Sequence, residues 1–210
     1  YQINLAIAGI AIGTVILPNL SRHIKSSDNK KINFIQNKAF ELSLFLSLPA
    51  SMALIVASEE ITSALFGYGA FDILSVSNSA KALYYFALGL PAFAVIKVFS
   101  TFLFARDDTK TPFYYSLISV LINITISIYF FDKVGFIIIP IATTISSWIN
   151  VILLFFKLSL NNYFSFKNIF NITNLKTILI SLASIYIFYI LINLFKENLV
   201  YDNGMKLFAI

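Results

Sequence analysis

With 210 residues, 59% of them apolar and 12% charged, this chain carries about half the charge of a typical soluble domain. Mean hydropathy of +0.84, with several charge-free runs of about the 20 residues a helix needs to cross a bilayer, makes an all-α polytopic membrane protein the expected fold class. The lack of cysteine excludes a disulfide framework, a thiolate nucleophile and a Cys-ligated metal, and a net charge of +5 in so apolar a chain points to cytoplasmic loops rather than nucleic acid.

The first span is expected over residues 1–20, closing at Pro18 and Asn19 because proline disfavours helix continuation. No basic segment precedes it, so it does not read as a secretory signal. It opens in mid-span, and the terminal "MKLFAI" begins an apolar run without finishing it, so both ends are expected to lie inside a longer protein. A polar, basic connection, "SRHIKSSDNKK" (21–31), leads to a second span over 38–57 with a kink expected at Pro49. Residues 58–81 combine Glu59 and Glu60 with "ALFGYGAF", which suits short interfacial helices dipping Phe66, Tyr68 and Phe71 toward the headgroups.

The third span is expected over 82–105 and holds a lone lysine, Lys97. The fourth (111–131) and fifth (134–156) carry no charge and are joined by a "DKVG" turn. A polar linker over 159–175 precedes a sixth span, Lys176 to Phe195, and a seventh starts near Lys206. If the spans alternate across the membrane, one side collects Arg22, Lys25, Lys30, Lys31, Lys38, Arg106, Lys110, Lys157, Lys167 and Lys176. The other side mixes Lys81, Lys133 and Lys196 with six carboxylates, so the basic side is expected in the cytoplasm. "ARDDTK" then reads as a tight cytoplasmic turn, with Pro112 in the first turn of the next helix.

Three stretches, "GTVILPNLSR" (13–22), "LFGYGAF" (65–71) and "LFARDDTKTPF" (103–113), occur in order between the right spans. Together they resemble the MurJ/MviN family of lipid II flippases, within the multidrug/oligosaccharidyl-lipid/polysaccharide exporter superfamily. The resemblance implies two six-helix lobes around a cationic cavity, with two extra C-terminal helices lining a groove for a polyprenyl tail. It places this chain from within the eighth helix to the start of the fourteenth. Residues 1–158 would be a partial C-terminal lobe, 159–175 a cytoplasmic linker and 176–210 the groove helices. It also implies an inner-membrane location, a lipid-linked oligosaccharide substrate, contact with membrane lipids and a partner N-terminal lobe. The family's acidic position in the eighth helix aligns with Gln2, and most of its cavity arginines fall upstream of Tyr1. Two other readings compete: a multidrug or small-molecule exporter of the same superfamily, and a non-functional split-gene fragment.

Lys97 is the first candidate functional residue. A lysine in a span costs several kcal/mol unless it meets water or an anion, and it lies roughly 12 Å of helix from the cytoplasmic end, deep for snorkelling. A cavity-facing lysine suits a diphosphate. Arg106, Asp108, Lys110, Thr111 and Pro112 form the turn motif, either as gating charge pairs or as a capped, headgroup-anchored elbow. Asn123 and Ser127 share a helix face, and Thr143 lies at similar depth on the returning helix. With the carbonyl of Ile139 they would offer oxygens to a cation, although interhelical hydrogen bonding is the blander reading. The resemblance implies a sodium site here in some members, built with carboxylates that this chain lacks. Gly9 and Gly13 allow close helix approach, Pro91 and Pro140 suggest kinks, His23 reads as a solvated loop residue and Trp148 as packing or belt. No catalytic residue, metal ligand set or cofactor site is expected. Transport would draw on a coupling ion, Na⁺ or H⁺, or on the membrane potential.

Overall fold

The computed structural model describes residues 12–68, 71–169 and 171–194; Gln2, Gly9 and the seventh span lie outside them. The helices are α1 (Ile12–Lys25), α2 (Asn29–Val56), α3 (Ser58–Phe66), α4 (Ile73–Phe104), α5 (Lys110–Val134), α6 (Ile138–Leu160), α7 (Phe166–Ile169) and α8 (Ile172–Leu194). Among the described residues there is no strand.

The chain begins with a departure from expectation, because α1 continues past Pro18 to Lys25. A proline removes one helical hydrogen bond, but Leu20 just beyond it is fully buried in the core, and that packing outweighs the loss. The basic stretch 21–31 is therefore not one long loop. It shrinks to Ser26–Asp28, where Ser27 takes a left-handed φ of 55° and Asp28 accepts from the Lys31 backbone N–H at 3.1 Å. That cap starts α2 at Asn29, well before Lys38. His23 likewise sits in the last turn of α1 rather than in a loop.

Helix α4 is the spine of the lobe. Most of its second half is buried, from Leu90 through Leu103 apart from Phe93, Ile96 and Lys97. It also starts earlier than hydropathy suggests, because Asp72 accepts from Ser75 N at 2.8 Å and caps it. Helix α2 presents Ser43, Ser47 and Ser51 to the interior at helical spacing. Small residues on one face let two backbones approach closely, which is how helices associate where lipid supplies no hydrophobic drive between them. Near the C-terminal end of α4, Phe99 is the hub of an aromatic core, with ring centroids 5.7 Å from Phe40, 6.0 Å from Phe102, 6.3 Å from Phe155 and 5.6 Å from Phe164. Such pairs contribute about 0.5–1.5 kcal/mol each beyond their buried area.

An apolar stretch of 51 residues, Lys110–Leu160, is twice what one crossing needs. Gly135, with φ 74° and ψ −157°, folds it into a hairpin. Ser119 meets Ser146 and Asn123 meets Thr143, so the partners converge in step on Gly135 and the two helices are antiparallel. Pro140 makes no kink, since it is the third residue of α6, where its missing N–H is not needed. The outer face of α5 exposes Leu121, Ile124 and Ile128, and α8 exposes Ile180, Ile187 and Leu194, as lipid-facing surfaces do. The α1–α2 loop, the α4–α5 turn and the segment after α6 all converge on Arg106 and Tyr163. These three connections thus share one side, together with the basic helix ends beside them.

Candidate functional site

The middle of α4 is held by side chains from both neighbours. Pro91 has no N–H to offer the carbonyl of Ala87 one turn back. Ser51 Oγ on α2 donates to that carbonyl at 2.6 Å. From the opposite side, Thr144 Oγ1 donates to Tyr85 O at 2.7 Å and Trp148 Nε1 to Leu88 O at 3.2 Å. Three donors from two helices therefore serve the carbonyls around one proline, which is how a proline is tolerated at membrane depth. Between them Gly89 lets α6 approach: a Cβ there would lie 2.9 Å from Thr144 Oγ1 and 3.0 Å from Phe93 Cζ.

Six residues beyond Pro91 on α4, Lys97 projects from the lobe as an exposed residue between buried Val95 and Val98. Its backbone carbonyl accepts from Thr101 Oγ1 at 2.8 Å. The next turn on this face meets α1, where a Cβ on Gly13 would sit 3.0 Å from Thr101 Oγ1. The ammonium has no ion-pair partner among the described residues. A cation carried on the spine helix and left without an internal counter-charge suits an external anion.

Asn123 Nδ2 donates to Thr143 Oγ1 at 2.9 Å, and Thr143 Oγ1 in turn donates to Ile139 O at 2.8 Å. Ser127 Oγ is buried with no hydrogen-bond partner among the described residues. The donor set is neutral, and no group of three or more His, Asp or Glu side chains stands together among the described residues. Hard cations prefer several oxygens including carboxylates. An amide N–H₂ aimed at the central hydroxyl fits an interhelical clasp between α5 and α6 better than a cation cage.

At the turn, Asp107 adopts a left-handed φ of 60°, and Arg106 N and Asp108 N both donate to Leu103 O, at 2.9 and 3.1 Å, closing the end of α4. Asp108 opens α5: its carboxylate accepts from Thr111 N at 3.0 Å and Thr111 Oγ1 at 2.7 Å. Partial burial alone would raise the Asp108 pKa, but the Thr111 donors, aided by Lys157, outweigh it and hold the carboxyl below its ordinary value. Pro112 is buried in the first turn, and Lys110 is exposed beside it.

Arg106 is tucked inward. Its Nη1 donates to Phe102 O at 2.7 Å, and the guanidinium carbon lies 4.1 Å from the centre of the Tyr163 ring. The fully buried Gln36 of α2, with its amide oriented to satisfy both neighbours, accepts from Arg106 Nη1 at 3.2 Å and donates to Tyr163 O at 2.9 Å. Desolvation lowers the Arg106 pKa below its ordinary value and the Tyr163 interaction opposes this; a guanidinium stays charged regardless. Gln36 and Tyr163 were not expected as partners from the sequence. Neither were Ser51 or the hydrogen bond of Trp148, although the orphan carbonyl created by Pro91 is a signal that some donor must answer.

Residues 1–208 match the family model described as lipid II flippase MurJ. A probable lipid II flippase MurJ of Rhizobium tropici is 39% identical over 158 residues, covering 75% of this chain and 30% of that protein. Its counterpart in Thermotoga maritima is 36% identical over 146 residues, 70% of this chain and 30% of that one. Among solved structures, lipid II flippase MurJ in an inward closed conformation aligns with a TM-score of 0.78 and 29% identity, covering 99% of this chain and 41% of its own. The chain spans about 30% of the length of the curated relatives it matches.

Proposed function

Because the chain belongs to the lipid II flippase MurJ family, we propose that it forms a C-terminal part of a transporter that moves lipid II across the inner membrane by alternating access. The observation that carries this reading is one continuous family match over residues 1–208, laid on a lobe whose fold agrees with a solved flippase at a TM-score of 0.78. In this reading residues 1–158 belong to the C-terminal lobe, 159–175 form a cytoplasmic linker and 176–210 contribute groove helices for the polyprenyl tail. An N-terminal lobe completes the cavity. Lys97 meets the diphosphate of the substrate as a point charge.

Alternating access asks each lobe to move as a body. The clamps from Ser51, Thr144 and Trp148 onto α4 tie the helix that carries Lys97 to its neighbours, so the cation moves with the lobe. The capped elbow at Asp108 and Thr111 fixes the cytoplasmic end of the same unit. The protein acts as a transporter rather than an enzyme, and its drive is a Na⁺ or H⁺ gradient or the membrane potential. No step runs through the Asn123 clasp.

The test is a chimera in which these residues replace the matching segment of the Rhizobium tropici relative, expressed in cells depleted of their own flippase. Growth rescue at normal membrane abundance is the expected result. Lysis despite normal abundance would overturn the reading.

A further inference from the structure

Two cavities flank the Arg106 guanidinium on the basic side of the lobe. The smaller, about 380 Å³, includes Lys25 but also Asp107, a carboxylate that would repel an anion. The larger, about 540 Å³, is lined by Arg106, Tyr163, Ser27, Asn29, Asn33 and Asn162 over an isoleucine floor, with no carboxylate in its wall. That volume lies within the range that small ligands occupy.

Arg106 forms no ion pair among the described residues. Its hydrogen bonds among the described residues use Nη1 alone, on Phe102 O and Gln36, which leaves donors free on one side of a guanidinium stacked on the Tyr163 ring. A half-buried cation without a counter-ion is costly, and an oxyanion accepting two parallel N–H bonds relieves that cost. Asparagine amides and a serine hydroxyl around it supply further neutral donors, and two wall residues, Ser27 and Asn162, take left-handed φ values of 55° and 56°.

We propose that this groove between the α1–α2 loop and the segment after α6 binds a phosphate group, carried on an anionic lipid headgroup or free, on the Arg106 fork. The site is separate from the substrate cation Lys97, and its occupancy ties three cytoplasmic connections together.

The test uses the purified chimeric transporter in detergent. Native mass spectrometry counts retained phosphatidylglycerol against phosphatidylcholine, and calorimetry titrates inorganic phosphate at fixed ionic strength. Arg106→Gln is expected to reduce retained phosphatidylglycerol at least fivefold. Asn33→Leu, which fills the groove while leaving the guanidinium and its internal bonds in place, should give the same loss should Arg106→Gln fail to fold. Lys133→Gln, at the far end of α5, should change nothing. Lipid retention without phosphate binding assigns the site to headgroups, and phosphate binding that displaces the lipid assigns it to the anion itself; either supports the proposal. Equal retention of both lipids together with no phosphate binding, or phosphatidylglycerol retention and phosphate binding both undiminished in the two groove variants, would overturn it. Growth rescue by the chimera does not enter these readouts, so failure of the flippase reading remains distinguishable.

Discussion

Gly89→Ala tests how closely α4 and α6 are packed. The new methyl group would stand 2.9 Å from Thr144 Oγ1, 0.5 Å inside the 3.4 Å at which ordinary contact begins, and 3.0 Å from Phe93 Cζ. Phe93 meets the methyl group with the far end of its ring, but Thr144 Oγ1 is anchored to Tyr85 O at 2.7 Å and cannot turn away without losing that bond. Overpacking costs about 1–3 kcal/mol and loss of the hydrogen bond about 0.5–1.5 kcal/mol, against a gain of about 1 kcal/mol in helix propensity. The net expectation is a destabilisation of about 0.5–3.5 kcal/mol from those same sources. Trp148 is the only tryptophan and donates to Leu88 O beside the site, so its fluorescence reports unfolding of this contact directly. Adding Thr144→Ala to Gly89→Ala should restore most of the lost stability, because it removes the atom the methyl group strikes. If Gly89→Ala were as stable as the parent, or the second substitution made it worse, the close approach argued for these helices would be wrong.

Ser51→Ala should cost about 1–3 kcal/mol by orphaning Ala87 O, measured by denaturant unfolding in mixed micelles. In a Pro91→Ala background the same change should cost far less, because residue 91 then supplies the missing N–H. Asn123→Ala should lower stability by about 0.6–1.7 kcal/mol, the range for hydrogen bonds between membrane helices, with no change in sodium dependence of transport by the chimera. Asp108→Ala should cost about 0.5–2 kcal/mol as a lost helix cap. Because the folded-state pKa of Asp108 is depressed, its contribution is present above the unfolded value of about 3.9 and is lost as pH falls through the lower folded value. An acid titration below about pH 4 should therefore show a loss in the parent that Asp108→Asn lacks.

Hydropathy made the crossings legible because a bilayer imposes length and apolarity on every span, and the charge pattern of the loops set which connections meet. Helix ends were harder to read. Pro18 looks like a stop, yet buried Leu20 carries the helix past it. Lys30 and Lys31 look like loop, yet Asp28 caps a helix that includes both. The Asn123–Thr143 pairing was readable because one tight turn fixes the register of its hairpin. The grip of Gln36 and Tyr163 on Arg106 was not, since it joins a helix and two connections far apart in the chain whose meeting depends on the packed core. Likewise the sequence shows that Pro91 must leave a carbonyl unpaired, but only the packing of α2 against α4 selects Ser51 to answer it.

In the proposed function this lobe carries an anion-meeting cation into a lipid II path. That function is tested most directly by measuring lipid II on the outer leaflet of cells that depend on the chimera, using a membrane-impermeant enzyme that cleaves the exposed headgroup. With the parent sequence, cleavable lipid II should appear outside, and Lys97→Ala should reduce it about tenfold or more, the loss expected for one hydrogen bond to a charged group, at unchanged membrane abundance. Full exposure of lipid II with Lys97→Ala would contradict the role of that lysine, and no exposure with the parent sequence would contradict the proposed function itself.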